Sequence, residues 1–315
     1  MLQQTQVATV VAFFQRFIAR FPDVDVLARA TEQEVLAAWS GLGYYRRAKA
    51  LHRAAKTISG ELAGRFPDDV AGWMRLPGVG RYTAGAIVSI ALNEKAPILD
   101  GNVMRVLSRW FAVHGDPRSG TTNRELWRLA GDILPDRSVS EFNQALMELG
   151  ALVCTPRAPR CLVCPVRVHC VAHGLGRAEA FPELPAGRMS TRVSMAAAVI
   201  ERRGQLLMFR RSRDAVMKDL WEFPGGECRG GETPRQAVAR EARERYGLTL
   251  EPRRELAKVK HSIMNRRIDL YAFSADPPSD AIVDVTEGRW VARDELHLVP
   301  VSSMVPKLLN AIEGR

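Results

Sequence analysis

Four of the chain's five cysteines lie close together, and their spacing constrains the fold more than any other feature of the sequence. They follow the pattern Cys-x6-Cys-x2-Cys-x5-Cys and are Cys154, Cys161, Cys164 and Cys170. No secretory signal is visible, so the clustering favours a metal over disulfides. Four thiolates at such spacings can hold zinc or a 4Fe–4S cluster. A zinc ribbon usually has two close cysteine pairs, and the single close pair here favours iron–sulfur.

The charge of the chain indicates a polyanionic partner. The 315 residues carry a formal net charge of +10, and such an excess of cations favours nucleic acid through counterion release. Solubility alone is the other interpretation of this charge. Hydrophobic residues make up 46% and charged residues 25%, which is typical of globular proteins. No apolar run is long enough to cross a bilayer, so we expect a cytoplasmic monomer without membrane contact.

Hydrophobic periodicity predicts a helical region followed by a mixed one. Residues 1–171, which include the cysteine loop 154–170, show helical spacing with Pro or Gly at the breaks. Residues 172–190 show no period and are predicted to form a linker. Residues 191–315 are predicted to form an α+β domain. The first predicted helix starts near Val7. The other predicted helices lie at 27–39, 47–62, 68–76, 83–92, 103–111, 124–133, 139–153, 234–245 and 302–312. The predicted strands lie at 192–201, 205–210 and 268–273.

A Gly-x-Gly turn, Leu76–Gly80, separates two of the predicted helices. Its glycines permit a tight turn whose N–H groups lie at the start of the next helix, a geometry that binds phosphate. A simple turn between helices is the alternative. A second motif follows it, Ile98-Leu99-Asp100-Gly101-Asn102-Val103. By itself, an aspartate before glycine usually forms a turn or a helix cap.

Together the two motifs closely resemble the helix-hairpin-helix and catalytic-aspartate signature of the endonuclease III and MutY superfamily. The resemblance implies that Asp100 faces the deoxyribose of an extruded nucleotide, with Tyr82 and Asn102 lining the sugar site. A carboxylate there stabilises the oxocarbenium-like state of N-glycosidic cleavage after the base has left the stack. Lyase relatives carry a lysine at the position of Tyr82. A tyrosine cannot form an imine, so we expect a monofunctional hydrolase.

Further segments match MutY-type adenine DNA glycosylases and predict DNA contacts. Gly41–Ala48 holds Tyr44 in a glycine-rich turn flanked by arginines, where an aromatic ring can insert into a base stack while the cations hold phosphates. A packing aromatic at a helix start is the alternative. The resemblance implies that Gln3 and Gln4 fill the gap in the duplex and that Gln144 recognises the adenine edge. The expected contacts of the hairpin are Gly78, Gly80 and Arg81.

The resemblance also covers the cysteine spacing and implies a 4Fe–4S cluster in a positively charged loop that contacts DNA. In addition, the family places a catalytic glutamate two residues before the methionine of the Met-Leu-Gln-Gln segment. That methionine is Met1 here, so we expect an N-terminally truncated glycosylase. Because the glutamate protonates adenine as the leaving group, we expect this chain to bind lesion DNA poorly and to have little or no activity.

The second domain contains a nearly complete Nudix box, Gly226-x5-Glu232-x7-Arg240-Glu241-Ala242-x-Glu244-Arg245-x-Gly247-Leu248. In active Nudix hydrolases, glutamates on this helix hold magnesium against a diphosphate. Arg245 replaces the last glutamate, which removes a ligand and repels the metal. A solvated amphipathic helix with ion pairs is the alternative. The MutY resemblance implies a domain that recognises 8-oxoguanine without hydrolysing nucleotides, with Ser262 as the one matching contact.

The sequence therefore predicts a multidomain protein: an all-α helix-hairpin-helix glycosylase domain with an iron–sulfur loop, then an α+β Nudix-like domain. The leading hypothesis is a base-excision repair glycosylase that hydrolyses adenine mispaired with 8-oxoguanine or guanine in double-stranded DNA. A Nudix-type nucleotide diphosphatase and a catalytically silent DNA-binding module are the alternatives from other classes. Tyr82 disfavours a lyase of the endonuclease III type.

Overall fold

The chain folds into two compact units. The computed structural model describes residues 1–2, 5, 7–185, 190–211, 220–263, 265–278 and 288–314. The first unit comprises Met1–Ser59 together with Arg188–Arg315, and the second comprises Gly60–Gly187. Across the described ranges, no helix has both the length and the apolar character needed to span a membrane.

The N-terminal part of the first unit is helical. Val35, Leu36 and Trp39 are almost fully buried in its core. The single helix predicted at 27–39 is instead two helices, because Thr31 starts a new one: its hydroxyl accepts from Glu34 N at 3.2 Å, and the Glu34 carboxylate accepts from Thr31 N at 2.8 Å. This capping box satisfies two backbone donors at a helix start. The helices are α1 (Val7–Arg20), α2 (Val24–Arg29), α3 (Glu32–Trp39) and α4 (Arg46–Lys56).

The C-terminal part of the first unit is α+β, as predicted. One sheet has the order β5-β1-β7-β6, in which β1 and β7 are parallel and the other pairs antiparallel. In the second sheet, β3 pairs with β2, β4 and β8. The elements are β1 (Thr191–Val199), β2 (Glu201–Arg202), β3 (Gln205–Arg210), β4 (Trp221–Glu222), β5 (Gly225–Glu227), α11 (Pro234–Tyr246), β6 (Glu255–Ile263), β7 (Arg266–Ser274), β8 (Gly288–Ala292) and α12 (Met304–Ile312).

Two hydrophobic cores cover the strands of this domain. In one, Val305, Leu308 and Leu309 of α12 pack with Leu206 and Leu270 from the strands. The other brings Ala237, Val238 and Ala242 of α11 against alternate residues of the same strands. Successive strand residues point to opposite faces, so β1 and β3 contribute to both cores. The position of α11 against the sheet places the helical part of the Nudix motif beside β5, which contains Gly226, the first residue of the motif.

Over its described residues, 60–185, the regular elements of the second unit are all helices. Ile98, Val103, Leu107, Leu126 and Leu146 form its main core. The helices predicted at 47–62 and 139–153 continue as wider π-type turns over Thr57–Glu61 and Leu149–Val153. The α-helices of this unit are α5 (Val70–Met74), α6 (Arg81–Ala91), α7 (Gly101–Trp110), α8 (Gly120–Asp132), α9 (Val139–Glu148) and α10 (Val171–Gly174).

Part of the predicted linker at 172–190 is packed into the second unit. Ala172 in α10 is fully buried, and Phe181 is 1% exposed. Arg109 Nε donates to the carbonyl of Phe181 at 2.9 Å. The prediction treated the glycines and prolines of this segment as signs of flexibility, but a single buried aromatic and one buried arginine are enough to fix its first half.

Candidate active site and nucleic-acid interface

The turn at residues 76–80 exposes backbone donors between α5 and α6. Val79 N donates to Leu76 O at 3.1 Å and closes the turn. Gly78 has a φ of +78°, a left-handed conformation that glycine adopts without steric cost. Gly80 is the N-cap of α6 and has no side chain to satisfy the first N–H groups. These groups and the positive end of the helix dipole form a site suited to phosphate.

Arg81, the first residue of α6, adds a cation next to this turn. Its side chain lies over the ring of Trp127, with the guanidinium carbon 4.0 Å from the ring centroid. Stacking on an aromatic face restricts the guanidinium while leaving its edge N–H groups available. The hairpin thus combines fixed backbone donors with a positioned positive charge.

The helix α6 packs closely against the segment that leads to Asp100. A Cβ atom on Gly85 would lie 2.3 Å from the carbonyl oxygen of Pro97, so only glycine fits at this crossing. Ile98 and Leu99 are almost fully buried beyond it. The hairpin and Asp100 are therefore held at a fixed separation by backbone packing.

Asp100 is the N-cap of α7. Its Oδ1 accepts from Val103 N at 2.7 Å, and its Oδ2 accepts from Asn102 Nδ2 at 3.3 Å. The side chain is half-buried. The cap fixes the carboxylate and places it at the positive end of a helix. Asp100 therefore does cap a helix, as an aspartate before glycine often does. Among the described residues, the hydrogen-bond partner of its Oδ2 is the Asn102 amide.

Tyr82 belongs to the same group of side chains. It is half-buried, and its hydroxyl lies 3.5 Å from the Met147 sulfur. Burial raises the pKa of Tyr82, and the negative charge of Asp100 raises it further. Tyr82 is therefore a neutral hydrogen-bonding group near Asp100. The structure joins Asn102 to Asp100 by a hydrogen bond and places Tyr82 within electrostatic range of the Asp100 carboxylate.

Arg105 connects this group to the cysteine loop. Its Nη2 donates to Asn102 Oδ1 at 2.9 Å and to Gly150 O at 2.7 Å, while its Nε donates to Cys154 O at 2.7 Å. A Cβ on Gly150 would lie 2.7 Å from Asn102 Cβ, so the loop approaches Asn102 closely. The planar guanidinium thereby fixes the Asn102 side chain against two backbone carbonyls.

The four clustered cysteines line one partly open cavity of about 410 Å³. All four are half-buried and free of disulfides. Burial raises the pKa of the Cys161 and Cys164 thiols. In the described part of the chain, no set of three or more His, Cys, Asp or Glu side chains is arranged around one metal ion. Four thiols around a shared cavity, with Arg109, Arg160 and Arg167 in its lining, fit a larger anionic cluster.

Arg109 is the buried cation of this site. It is 2% exposed, its Nη1 lies 3.3 Å from Cys154 Sγ, and its Nη atoms donate to Thr155 O and Pro156 O. The sequence analysis singled out neither Arg105 nor Arg109. Their spacing of four residues puts them on one face of α7, but arginines are usually solvent-exposed, so the pattern alone gave no reason to turn them inward.

The residues 41–45, which we call the Tyr44 turn, have an unusual backbone. Gly41, Gly43 and Tyr44 all have positive φ, at +98°, +69° and +48°. At Gly41 a Cβ would lie 2.9 Å from the far end of the Phe13 ring, so a larger residue would displace that ring and would also adopt a strained positive φ. The ring of Tyr44 is 53% exposed at the tip. A non-glycine residue with positive φ is costly unless its surroundings impose it.

Arg47 imposes part of that conformation. Its Nη1 donates to Met1 O at 2.8 Å, and its Nη2 donates to Thr5 Oγ1 at 3.2 Å and Gly43 O at 3.4 Å. Its guanidinium carbon lies 5.5 Å from the centroid of the Tyr44 ring. Arg47 thus joins the start of the chain to the Tyr44 turn. Phosphate contacts by the arginines flanking Tyr44 stay a prediction.

The other predicted DNA contacts that the structure describes lie on α9 and β6. Gln3 and Gln4 lie outside the described residues. Gln144 is exposed on α9, and its Nε2 donates to Ser140 Oγ at 3.1 Å. Ser262 is exposed near the end of β6 and is paired with Arg267 of β7. Ser262 thus lies in a strand, and its contact with 8-oxoguanine stays a prediction.

The glutamates of the Nudix motif are paired with arginines. Arg240 binds Glu232, Glu241 and Glu244, with N–O distances of 2.8, 2.7 and 3.2 Å. Arg245 Nη2 lies 3.0 Å from Glu222 Oε1, and its Nη1 donates to Gly225 O at 3.1 Å. Guanidinium groups therefore occupy the positions beside these carboxylates, which supports the interpretation of Arg245 as a replacement that disfavours a metal.

The fold and the site define a class. An all-helical unit that carries a helix-hairpin-helix turn and a capping aspartate, followed by a Nudix fold, is a base-excision DNA repair protein with a Nudix domain. Residues 1–131 match the family model of HhH-GPD superfamily base excision DNA repair proteins, and residues 195–311 match the NUDIX domain. A solved thermostable thymine-DNA glycosylase is similar in structure, with a TM-score of 0.51 and 27% identity over 55% of this chain and 80% of that chain.

Whole-chain similarity gives the family. The chain is 33% identical to an adenine DNA glycosylase of Rattus norvegicus, over 99% of this chain and 70% of that protein. It is 32% identical to one of Homo sapiens, over 100% of this chain and 67% of that protein. The chain belongs to the adenine DNA glycosylase family, and it is a DNA glycosylase, a hydrolase of base-excision repair.

Proposed function

We propose that the chain hydrolyses the N-glycosidic bond of adenine mispaired with 8-oxoguanine in double-stranded DNA. The observation that carries this proposal is the group of Asp100, Asn102 and Tyr82 at the start of α7, next to the hairpin. The hairpin N–H groups and Arg81 hold phosphates on either side of the target nucleotide. The extruded deoxyribose then lies against Asp100.

Asp100 stabilises the transition state through its charge. As the bond to adenine breaks, positive charge develops on the sugar, and a fixed carboxylate lowers the energy of that state without reorganisation. Water then adds to the anomeric carbon and loses a proton, while adenine leaves with one. Tyr82 and Asn102 orient the carboxylate and the sugar. No lysine stands at the position of Tyr82, so the reaction ends with an abasic site rather than an imine.

The mispair is recognised from both strands in this proposal. Tyr44 inserts beside 8-oxoguanine, Gln3 and Gln4 fill the gap that adenine leaves, and Gln144 contacts the adenine edge. Ser262 of the Nudix domain contacts 8-oxoguanine. The support for these roles is the exposure of Tyr44, Gln144 and Ser262 and the arginine pairing of the Nudix glutamates, which leaves that domain to bind rather than hydrolyse.

Cys154, Cys161, Cys164 and Cys170 would hold a 4Fe–4S cluster. When bound, the cluster supplies four bonds that fix the loop at residues 154–170. The chain's own residues do the rest: Arg109 balances thiolate charge from inside, and Arg105 transmits the position of the loop to Asn102. An intact loop therefore keeps the sugar site in order.

The test is single-turnover release of adenine from a duplex with one adenine:8-oxoguanine pair. The assay compares the protein with its Asp100→Asn variant. We expect the variant to be much slower, because it loses the carboxylate charge that stabilises the developing sugar cation. Equal, negligible rates for both forms would indicate a DNA-binding module instead.

A further inference from the structure

The backbone carbonyl of Val301, near the start of α12, accepts two hydrogen bonds from the N-terminal helices. The Tyr45 hydroxyl donates to it at 2.7 Å, and Ser40 Oγ donates at 3.4 Å. Tyr45 is 7% exposed, and burial raises the pKa of its hydroxyl. A buried phenol needs a partner, and the partner here belongs to the Nudix domain although the tyrosine belongs to the helix-hairpin-helix domain.

The acceptor is fixed within the Nudix domain. Val301 forms a parallel bridge with Trp221 of β4; Trp221 N donates to Pro300 O at 2.8 Å, and Ser302 N donates to Trp221 O at 3.1 Å. Leu220, immediately before β4, is fully buried in the hydrophobic cluster of the N-terminal helices. The Val301 carbonyl is therefore held in place beside β4, the strand that precedes the Nudix motif.

The same hydroxyl also holds the Tyr44 turn. Gly41 N donates to the Tyr45 hydroxyl at 3.4 Å, and Trp39 Nε1 donates to Gly43 O at 3.1 Å. Two backbone groups of the turn, at Gly41 and Gly43, are thus held by hydrogen bonds just before the exposed Tyr44. Since Tyr44 adopts φ of +48°, its conformation depends on such restraints.

We infer that Tyr45 is a positioning residue through which the Nudix domain sets the conformation of the exposed Tyr44 ring. This inference rests on the proposed function, in which Tyr44 inserts beside the damaged base. The Nudix domain then contributes to lesion recognition in two ways, by its own contacts and by ordering an aromatic residue of the other domain. Loss of the Tyr45 hydroxyl should lower the preference for lesion DNA without lowering general DNA affinity, because the phosphate contacts are elsewhere.

The experiment measures equilibrium DNA binding by fluorescence anisotropy for the unmodified protein and for its Tyr45→Phe, Tyr44→Ala and Tyr271→Phe variants. The duplexes carry an adenine:8-oxoguanine pair or only normal pairs, and the readout is the ratio of the two dissociation constants. Tyr45→Phe keeps the buried ring and removes one hydrogen bond, so we expect the ratio to fall about 3- to 10-fold. Tyr271→Phe, a matched change in β7, should leave the ratio unchanged.

Amide hydrogen exchange of residues 41–45 supplies a second readout. Exchange should accelerate in Tyr45→Phe and stay the same in Tyr271→Phe. Ser40→Ala removes the other donor to the Val301 carbonyl and leaves the aromatic packing intact, so it should give a smaller change in the same direction, and it serves as the test if Tyr45→Phe is poorly folded.

The outcomes separate the two proposals. If Tyr44→Ala has the same lesion preference as the unmodified chain, the proposed role of Tyr44 is wrong, whatever Tyr45 does. If Tyr44→Ala lowers the preference but Tyr45→Phe and Ser40→Ala match the unmodified chain in both ratio and exchange, the inference about Tyr45 is overturned.

Discussion

Acidic residues occupy motif positions in both domains, but their surroundings differ. Among the described residues, the Asp100 carboxylate accepts hydrogen bonds from the Val103 N–H and from the Asn102 amide. The glutamates of α11 and β4 bind the guanidinium groups of Arg240 and Arg245 instead. In the proposed function the Asp100 charge acts on the sugar, whereas the glutamates form ion pairs within the Nudix domain. A sequence motif for carboxylate chemistry therefore has to be judged with the cations around it.

The largest effect is expected from Asp100→Asn. Asparagine is as good an N-cap as aspartate, so the melting temperature should change little, while the loss of charge should lower the single-turnover rate of adenine release about 10²- to 10³-fold. The matched control is Asp23→Asn. Asp23 caps α2 with the same 2.7 Å bond to a backbone N–H and should leave the rate unchanged. A slow Asp23→Asn variant would mean that capping, not charge, explains the loss.

Arg245→Ala should have the largest effect on stability. It leaves the Glu222 carboxylate, whose side chain is 9% exposed, with Arg211 as its remaining ion-pair partner. Loss of one partner of a buried pair should cost about 2–4 kcal/mol in free energy of unfolding. Urea denaturation measures this, and Arg243→Ala, on the exposed side of α11, is the control. Adding Glu222→Gln to Arg245→Ala should recover part of the loss; no recovery would contradict the ion-pair explanation.

Arg105→Lys tests whether hydrogen bonds from Arg105 fix the residues around Asp100. Lysine keeps the charge but cannot reach Asn102 Oδ1, Gly150 O and Cys154 O together. We expect about a tenfold lower glycosylase rate from misplacement of Asn102. Arg124→Lys on α8 is the control. If both variants are as fast as the parent, Arg105 does not position the site.

The smallest effect is expected from Glu232→Gln. The Arg240 guanidinium, and then the Arg229 N–H, lower the pKa of Glu232 from its usual 4.5 to about 2. A folded-state pKa below the unfolded value stabilises the protein above pH 4.5, and this stabilisation is lost as the pH falls towards 2. Glu232→Gln should therefore be less stable than the parent near neutral pH and equal to it near pH 2. Thermal melts across this range measure the difference, with Glu251→Gln as control. A constant difference at all pH values would exclude Glu232 as its source.

The sequence was most informative where short-range chemistry defines the structure. The hairpin glycines, the capping Asp100 and the four cysteines are motif residues whose geometry follows from local backbone rules, and the structure brings the first two groups onto packed neighbouring segments. The capping box at Thr31 was readable in the same way from Thr31 and Glu34 but was missed, because the apolar pattern ran through it.

Long-range contacts could not be predicted. Arg105, Arg109 and Arg47 donate hydrogen bonds to backbone carbonyls that are distant in the sequence. Every residue has such a carbonyl, so the sequence does not show which one an arginine will bind. The bond from Tyr45 to Val301 joins residues 256 positions apart. Residues 1–59 form one compact unit with residues 188–315, a grouping that periodicity, which is local, cannot indicate.

Gly85 has a consequence for how this protein can change. Its missing side chain brings the hairpin helix within contact distance of the Pro97 carbonyl, so a single added methyl group would push the two segments apart. In the proposed function the hairpin holds a phosphate and Asp100 acts at the cleaved bond, so such a shift would change the distance between these two sites. We therefore expect screens for inactive variants to recover Gly85→Ala, which lies in neither site, alongside changes at Asp100.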